Sequence, residues 1–126
     1  MITQLFAIRG AATVAADTKE AISVAATELM DRIVRDNGLS EKCFEITSII
    51  CSTTSDITAA YPVAAIRESG FKDAPLFSCV EPDITGGLKL CIRLLVNVTS
   101  TADKKHITKH VYLGGAAKLR PDLSSK

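Results

Sequence analysis

Residues 91–98, CIRLLVNV, constrain this chain more than any other stretch. Their even positions, Ile92, Leu94, Val96 and Val98, are all aliphatic. Successive side chains of an extended strand point to opposite faces, so these four must line one buried face of a sheet. Arg93 then falls on the other face with Cys91, Leu95 and Asn97. A guanidinium in so apolar a strand is costly unless it is paired with a carboxylate or binds an anion. An exposed sheet face or a structural ion pair is the plain reading, and an anion site is the functional one.

The rest of the chain supplies partners for this strand. Residues 4–9 (QLFAIR) read as a short first strand closed by Gly10. Asp17-Thr18-Lys19-Glu20 predicts a helix start, with an acceptor at the cap and a glutamate three residues on. Ile22, Ala25, Ala26, Leu29 and Ile33 recur at helical spacing until Asn37-Gly38 stops the helix. Residues 44–53 are β-branched and form a second strand, and residues 56–69 read as a turn and a second helix. Tyr61-Pro62 belongs at the start of that helix, where proline is tolerated. Residues 75–81 are strand-like, 82–87 a turn, 103–109 a short polar connection with helical character, and 110–119 the last strand. The polar tail, about 120–126, is expected to be mobile. The order β-α-β-α-β-β-β predicts one α+β domain over residues 1–126, with a mixed β-sheet and both longer helices on one face.

Charge and cysteine content narrow the function. With 15 basic and 14 acidic residues the net charge is +1, which argues against a nucleic-acid partner. No apolar run approaches the roughly 20 residues of a membrane helix, and the N-terminus lacks signal-peptide features, so no membrane partner and a cytoplasmic location are expected. Cys43, Cys51, Cys79 and Cys91 are spaced by 8, 28 and 12, none of which is a zinc-ligand spacing. Cys43, Cys51 and Cys91 lie among apolar residues, where free cysteine acts as a small hydrophobe. His106 and His110 are four apart, half a metal site on a helix, but Val111-Tyr112-Leu113 reads as strand and breaks that geometry. No metal is expected. The 47% hydrophobic content with so few aromatics points to surface buried against further copies of the chain.

What remains is a set of arginines and hydrogen-bonding groups without an evident nucleophile. Arg9 closes its strand as IRG, and Arg67 and Arg120 stand singly at element ends. Each alone is an ordinary solvated residue. Glu81 ends its strand just before a proline, where it is either a turn carboxylate or an acceptor for a ligand hydroxyl. Thr85-Gly86-Gly87 lacks the patterns of a phosphate-cradling loop and reads as a plain turn.

Four segments taken in order, IRGAATV, YPVAAIRESG, PLFSCVEPDITGGLKLCIR and HVYLGGAAKLRPDL, resemble the AroH class of chorismate mutase. These are small homotrimeric enzymes of pseudo-α/β-barrel architecture, and the resemblance covers nearly the whole chain. It implies conversion of chorismate to prephenate in aromatic amino acid biosynthesis, without a cofactor, at sites shared between adjacent subunits. Carried over by position, the resemblance implies that Arg93 contacts the ether oxygen and the side-chain carboxylate. It implies that Arg9 and Tyr112 fix that carboxylate, and that Glu81 accepts from the ring hydroxyl. Phe77, Ser78, Cys79 and Val80 would line the pocket, with Tyr61, Arg67, Leu119 and Arg120 at its wall and mouth. Ser78 stands where many members have cysteine, Ala64 where some have lysine, and Gly114 to Ala117 replace bulkier residues. Two other readings stand beside it: a trimeric imine or enamine deaminase of the RidA type, and a non-catalytic binder of carboxylate metabolites. Arg93 together with Glu81 and the HVYL…LRPDL ending favours the mutase.

Overall fold

The computed structural model describes residues 1–122. Its elements are β1 (Gln4–Thr13), α1 (Lys19–Asn37), β2 (Phe44–Thr53), α2 (Pro62–Glu68), β3 (Leu76–Val80), β4 (Cys91–Ser100) and β5 (Val111–Leu113), closed by a 3-10 turn, Gly114–Lys118. The strands form one mixed sheet in the order β3-β2-β4-β1-β5. The central β4 pairs antiparallel with β1 and with β2, while the outer pairs, β2 with β3 and β1 with β5, are parallel. The α+β class, the order of elements and the helices on one face are as the sequence implies.

The aliphatic side of β4 is sealed, with Ile92, Leu94, Val96 and Val98 all at 3% exposure or less. Ile8 and Ala12 of β1 and Ile49 and Cys51 of β2 extend that face, and α1 and α2 pack on it. From α1 come Ile22, Ala26, Leu29, Met30 and Ile33, all fully buried, and from α2 Val63 and Ile66. Gly10 lies under this helix, where a Cβ would come 2.6 Å from Ile33 Cδ1. It therefore sits inside β1 rather than closing it, and β1 runs on to Thr13.

Other expectations change locally. The cap of α1 is Thr18, whose hydroxyl accepts from Ala21 N at 3.2 Å. Asp17 instead accepts from Thr58 N (2.9 Å), Thr58 Oγ1 (2.6 Å) and Ala59 N (3.0 Å), tying down the approach to α2. The expected last strand is only Val111–Leu113, because Gly114 has φ 58, a left-handed conformation that turns the chain out of the sheet. Of the tail expected to be mobile, residues 123–126 lie outside the described residues.

The connection at 103–109 is not helical. It is held by the buried side chain of Asn37, whose Nδ2 donates to Ile33 O (2.9 Å) and Lys109 O (2.8 Å), and whose Oδ1 accepts from Lys109 N (2.8 Å). His106 Nε2 meets the same oxygen at 3.1 Å, and its ring stacks on Phe6 with centroids 4.3 Å apart. Among the described residues no helix is long and apolar enough to cross a membrane, and no cluster of three metal-ligating side chains forms.

Asn37→Leu should strand the Lys109 amide and carbonyl without partners and lower unfolding free energy by about 1–3 kcal/mol, read from urea titration. Acid should also destabilise the fold. Burial, with Lys109 adding for His106 and Arg9 and Arg120 for His110, holds both imidazoles below their ordinary value of 6.5. The unfolded chain therefore takes up protons first. The imidazole contribution is full above pH 6.5 and is lost as pH falls towards the folded-state values. His106→Phe should flatten that decline in a pH series of melts.

Candidate active site

Because both neighbours of β4 are in register with it, its odd positions belong to a second sheet face, opposite the helices. One row of paired residues crosses all five strands on that face: Cys79, Ser52, Arg93, Ala11 and Tyr112. The next row brings Arg9 and Ile50 to either side of Leu95. Together these eight residues line a cavity of about 290 Å³. The structure thus assembles Arg9, Arg93, Tyr112 and Cys79 from four strands. Tyr112 is nearly fully buried, in a small cluster with Ala11, Cys91 and Ala116.

Arg93 lies between this cavity and a second depression of about 580 Å³, formed by the 82–89 loop with Thr54, Asp56 and Glu81. Glu81 extends the β3 ladder by one residue, its N–H donating to Thr53 O at 2.7 Å. Its Oε1 accepts a hydrogen bond from Ser52 Oγ and lies 3.2 Å from Arg93 Nε. The Arg93 Nε–H is not aimed along that line. The contact is therefore an ion pair without hydrogen-bond geometry, and this buried donor has no acceptor among the described residues.

The start of β4 is braced from beneath the loop. Leu90 has φ 48, a left-handed backbone that costs a leucine about 1–2 kcal/mol. The Leu90 amide donates to both Asp56 oxygens, at 3.1 and 3.0 Å, and Thr54 Oγ1 donates to Asp56 Oδ1 at 2.5 Å while accepting from Cys91 N at 2.9 Å. The Thr54 hydroxyl is the main cause holding the Asp56 carboxyl below its ordinary value, with the Leu90 amide and Lys89 adding. On the far side, the Arg9 amide donates to His110 Nδ1 at 2.9 Å, which ties the strand carrying Arg9 to the residue just before β5.

Other sequence candidates lie apart from the cavity. Phe77 shares the face of Cys79 but is 66% exposed beyond the lining. Ser78 and Val80 pair with Cys51 and Thr53, so they point to the opposite side of β3 and are exposed. Tyr61 flanks the start of α2 and Arg67 sits in its last turn, both exposed. Leu119 packs at the edge of the cluster around Tyr112. Arg120 is forked onto Asp122, with Nε 3.1 Å and Nη2 2.9 Å from its two oxygens. Ser52 was not among the candidates. Its one signal was parity, since it faces away from the buried Ile49 and Cys51. A depression of about 600 Å³ along the outer face of α1 is lined by that helix alone, with the acidic Glu28 and Asp31 followed by the basic Arg32 and Arg35. It is a solvated helix face without convergent groups.

Two of the four sulfurs are buried away from solvent. Burial, aided by Cys79, pushes the Cys51 thiol up to about 12, and burial raises Cys91 despite nearby Arg93. Both stay protonated. Cys79 is exposed at the cavity wall.

Two guanidinium groups and a tyrosine around one cavity, with an anchored carboxylate in the depression beside it, define an α+β protein suited to a small, carboxylate-bearing molecule. Residues 5–123 match the model of a family described as chorismate mutase type I. The chain belongs to that family. It is 39% identical over 118 residues to the chorismate mutase AroH of Bacillus subtilis, covering 93% of this chain and 91% of that one. It is 40% identical over 118 residues to the AroH of Thermus thermophilus, covering 94% and 95%. Its fold matches a chorismate mutase from Clostridium thermocellum with a TM-score of 0.80 and 41% identity, over 90% of this chain and 98% of that one.

Two outcomes follow. Asp56→Ala should release Leu90 and disorder the approach to Arg93, lowering both melting temperature and turnover, whereas a distant surface Asp→Ala should leave both unchanged. Cys79→Ser should turn over like the parent, while a bulky maleimide on Cys79 should block the cavity. Loss of turnover in Cys79→Ser, with folding intact, would give the thiol a chemical role.

Proposed function

We propose that this enzyme, a chorismate mutase, rearranges chorismate in the cavity around Arg93, with Arg9, Tyr112 and Glu81 as its partners. The observation that carries the reading is the unmet, buried Nε–H of Arg93 beside Arg9 and Tyr112 on one open sheet face. In the reaction an ether C–O bond breaks while a C–C bond forms within the same molecule. No proton or electron enters or leaves, so the work is to hold a flexible dianion in its compact reactive shape and to meet charge where it develops. Arg93 supplies positive charge at the ether oxygen and side-chain carboxylate. Arg9 and Tyr112 hold that carboxylate, and Glu81 accepts from the ring hydroxyl. Phe77, Ser78, Cys79, Val80, Tyr61, Arg67, Leu119 and Arg120 complete the wall and mouth once subunits meet.

The whole chain acts as one catalytic domain within a homotrimer of pseudo-α/β-barrel form. Support comes from the same sheet face, where Leu5 is 78% and Phe77 66% exposed outside the cavity, apolar surface that a neighbouring subunit would cover. Four free cysteines suit a reducing compartment such as the cytoplasm.

Loss of chorismate absorbance on adding purified protein tests the reading directly, and separates it from an imine deaminase or a passive binder. Arg93→Lys keeps the charge but loses the planar fork. It should lower turnover roughly a hundred- to a thousandfold, mainly in kcat, because the charge it meets develops only in the transition state. Arg67→Ala should instead raise KM. Sedimentation should find a trimer, and a stable, active monomer would exclude shared sites.

A further inference from the structure

We infer that Ser52 is a positioning residue for this reaction, one that sets which oxygen of Glu81 faces the substrate. The inference rests on the function proposed above and adds a residue to it. Ser52 lies in β2 directly between two site residues, paired with Arg93 on one side and Cys79 on the other. Its hydroxyl donates to Glu81 Oε1, the same oxygen that faces Arg93 Nε at 3.2 Å. Oε1 is therefore held twice by the protein, and Oε2 has no partner among the described residues.

A carboxylate tethered by one oxygen behaves differently from a free one. Without the Ser52 hydroxyl, Glu81 can turn about its terminal torsion and lay both oxygens against the Arg93 guanidinium, since parallel two-point pairing is the strongest geometry open to them. That would neutralise the charge Arg93 needs for the ether oxygen and withdraw the acceptor meant for the ring hydroxyl. Ser52 prevents this by engaging Oε1 from the floor of the sheet. One backbone position on β2 thus keeps two opposite charges close together without letting them satisfy each other. The β-sheet register makes the device rigid, because the strands carrying Ser52 and Arg93 are hydrogen-bonded neighbours.

The test is a double-mutant cycle on the purified full-length protein, with chorismate as substrate and folding and assembly checked by circular dichroism and sedimentation. Ser52→Ala should lower kcat/KM about ten- to a hundredfold, the range for a hydrogen bond to a charged group. The loss should show in kcat as well as KM, and Ser52→Thr, which keeps the hydroxyl, should recover most of it. In a Glu81→Ala background, Ser52→Ala should add less than about twofold, because the group it positions is gone. Equal losses in both backgrounds would make Ser52 merely structural and overturn the inference, as would a Ser52→Ala enzyme with normal kinetics. If Ser52→Ala fails to fold, Ser52→Cys keeps the volume with a weak donor. It should fall well below Ser52→Thr, and equal activity of the two would also overturn the inference. An inactive parent enzyme would remove the proposed function and this inference together, whereas an active parent with uncoupled Ser52 removes this inference alone.

Discussion

Everything in this protein depends on β4 lying in the middle of the sheet with strands on both sides. A central strand with one aliphatic face needs a cover on that face, and here α1 and α2 supply it. The same pairing holds its other face flat and in register, so that one row of residues runs from Cys79 through Ser52, Arg93 and Ala11 to Tyr112. Slipping β4 by one residue against its neighbours would send the arginine into the core and an aliphatic side chain into the cavity. Core and site are therefore two faces of one constraint, and neither can move without the other.

On that face two opposite charges lie close together without full pairing. Arg93 is close enough to Glu81 for an ion pair, yet its Nε–H has no acceptor among the described residues. A fully satisfied bidentate pair would be a better structural bond and a poorer binding site, since a neutralised guanidinium offers little to an incoming anion. The backbone strain at Leu90 belongs to the same economy of design. It is maintained by Asp56 and Thr54 on the loop after β2, one residue before β4 begins. Strain of this kind persists only where surrounding bonds over-determine it.

Much of this was legible in the primary structure. The alternation in residues 91–98 announced a two-faced strand and put Arg93 on the face away from the core, and the helical spacing from Ile22 to Ile33 announced its cover. The errors cluster where one residue type had two possible jobs. Gly10 looked like a strand terminator but serves close helix packing, and Asp17 looked like a helix cap but clamps the segment before α2. Residues 114–118 read as the end of the last strand, yet a left-handed Gly114 turned them into a 3-10 turn. Each choice was decided by a partner far away in sequence.

Parity and periodicity are local, so the chain by itself determined which residues are extended, which are helical, and which side of each strand is apolar. It also carried the motifs that mark the family. What it left undecided was which strands lie side by side. Ser52 and Glu81 are 29 residues apart, and Arg9 and His110 are 101 apart, and their hydrogen bonds exist only because the order β3-β2-β4-β1-β5 brings those strands together. That order is set by burying one continuous apolar face under two helices, a property of the whole assembly that no window of sequence contains.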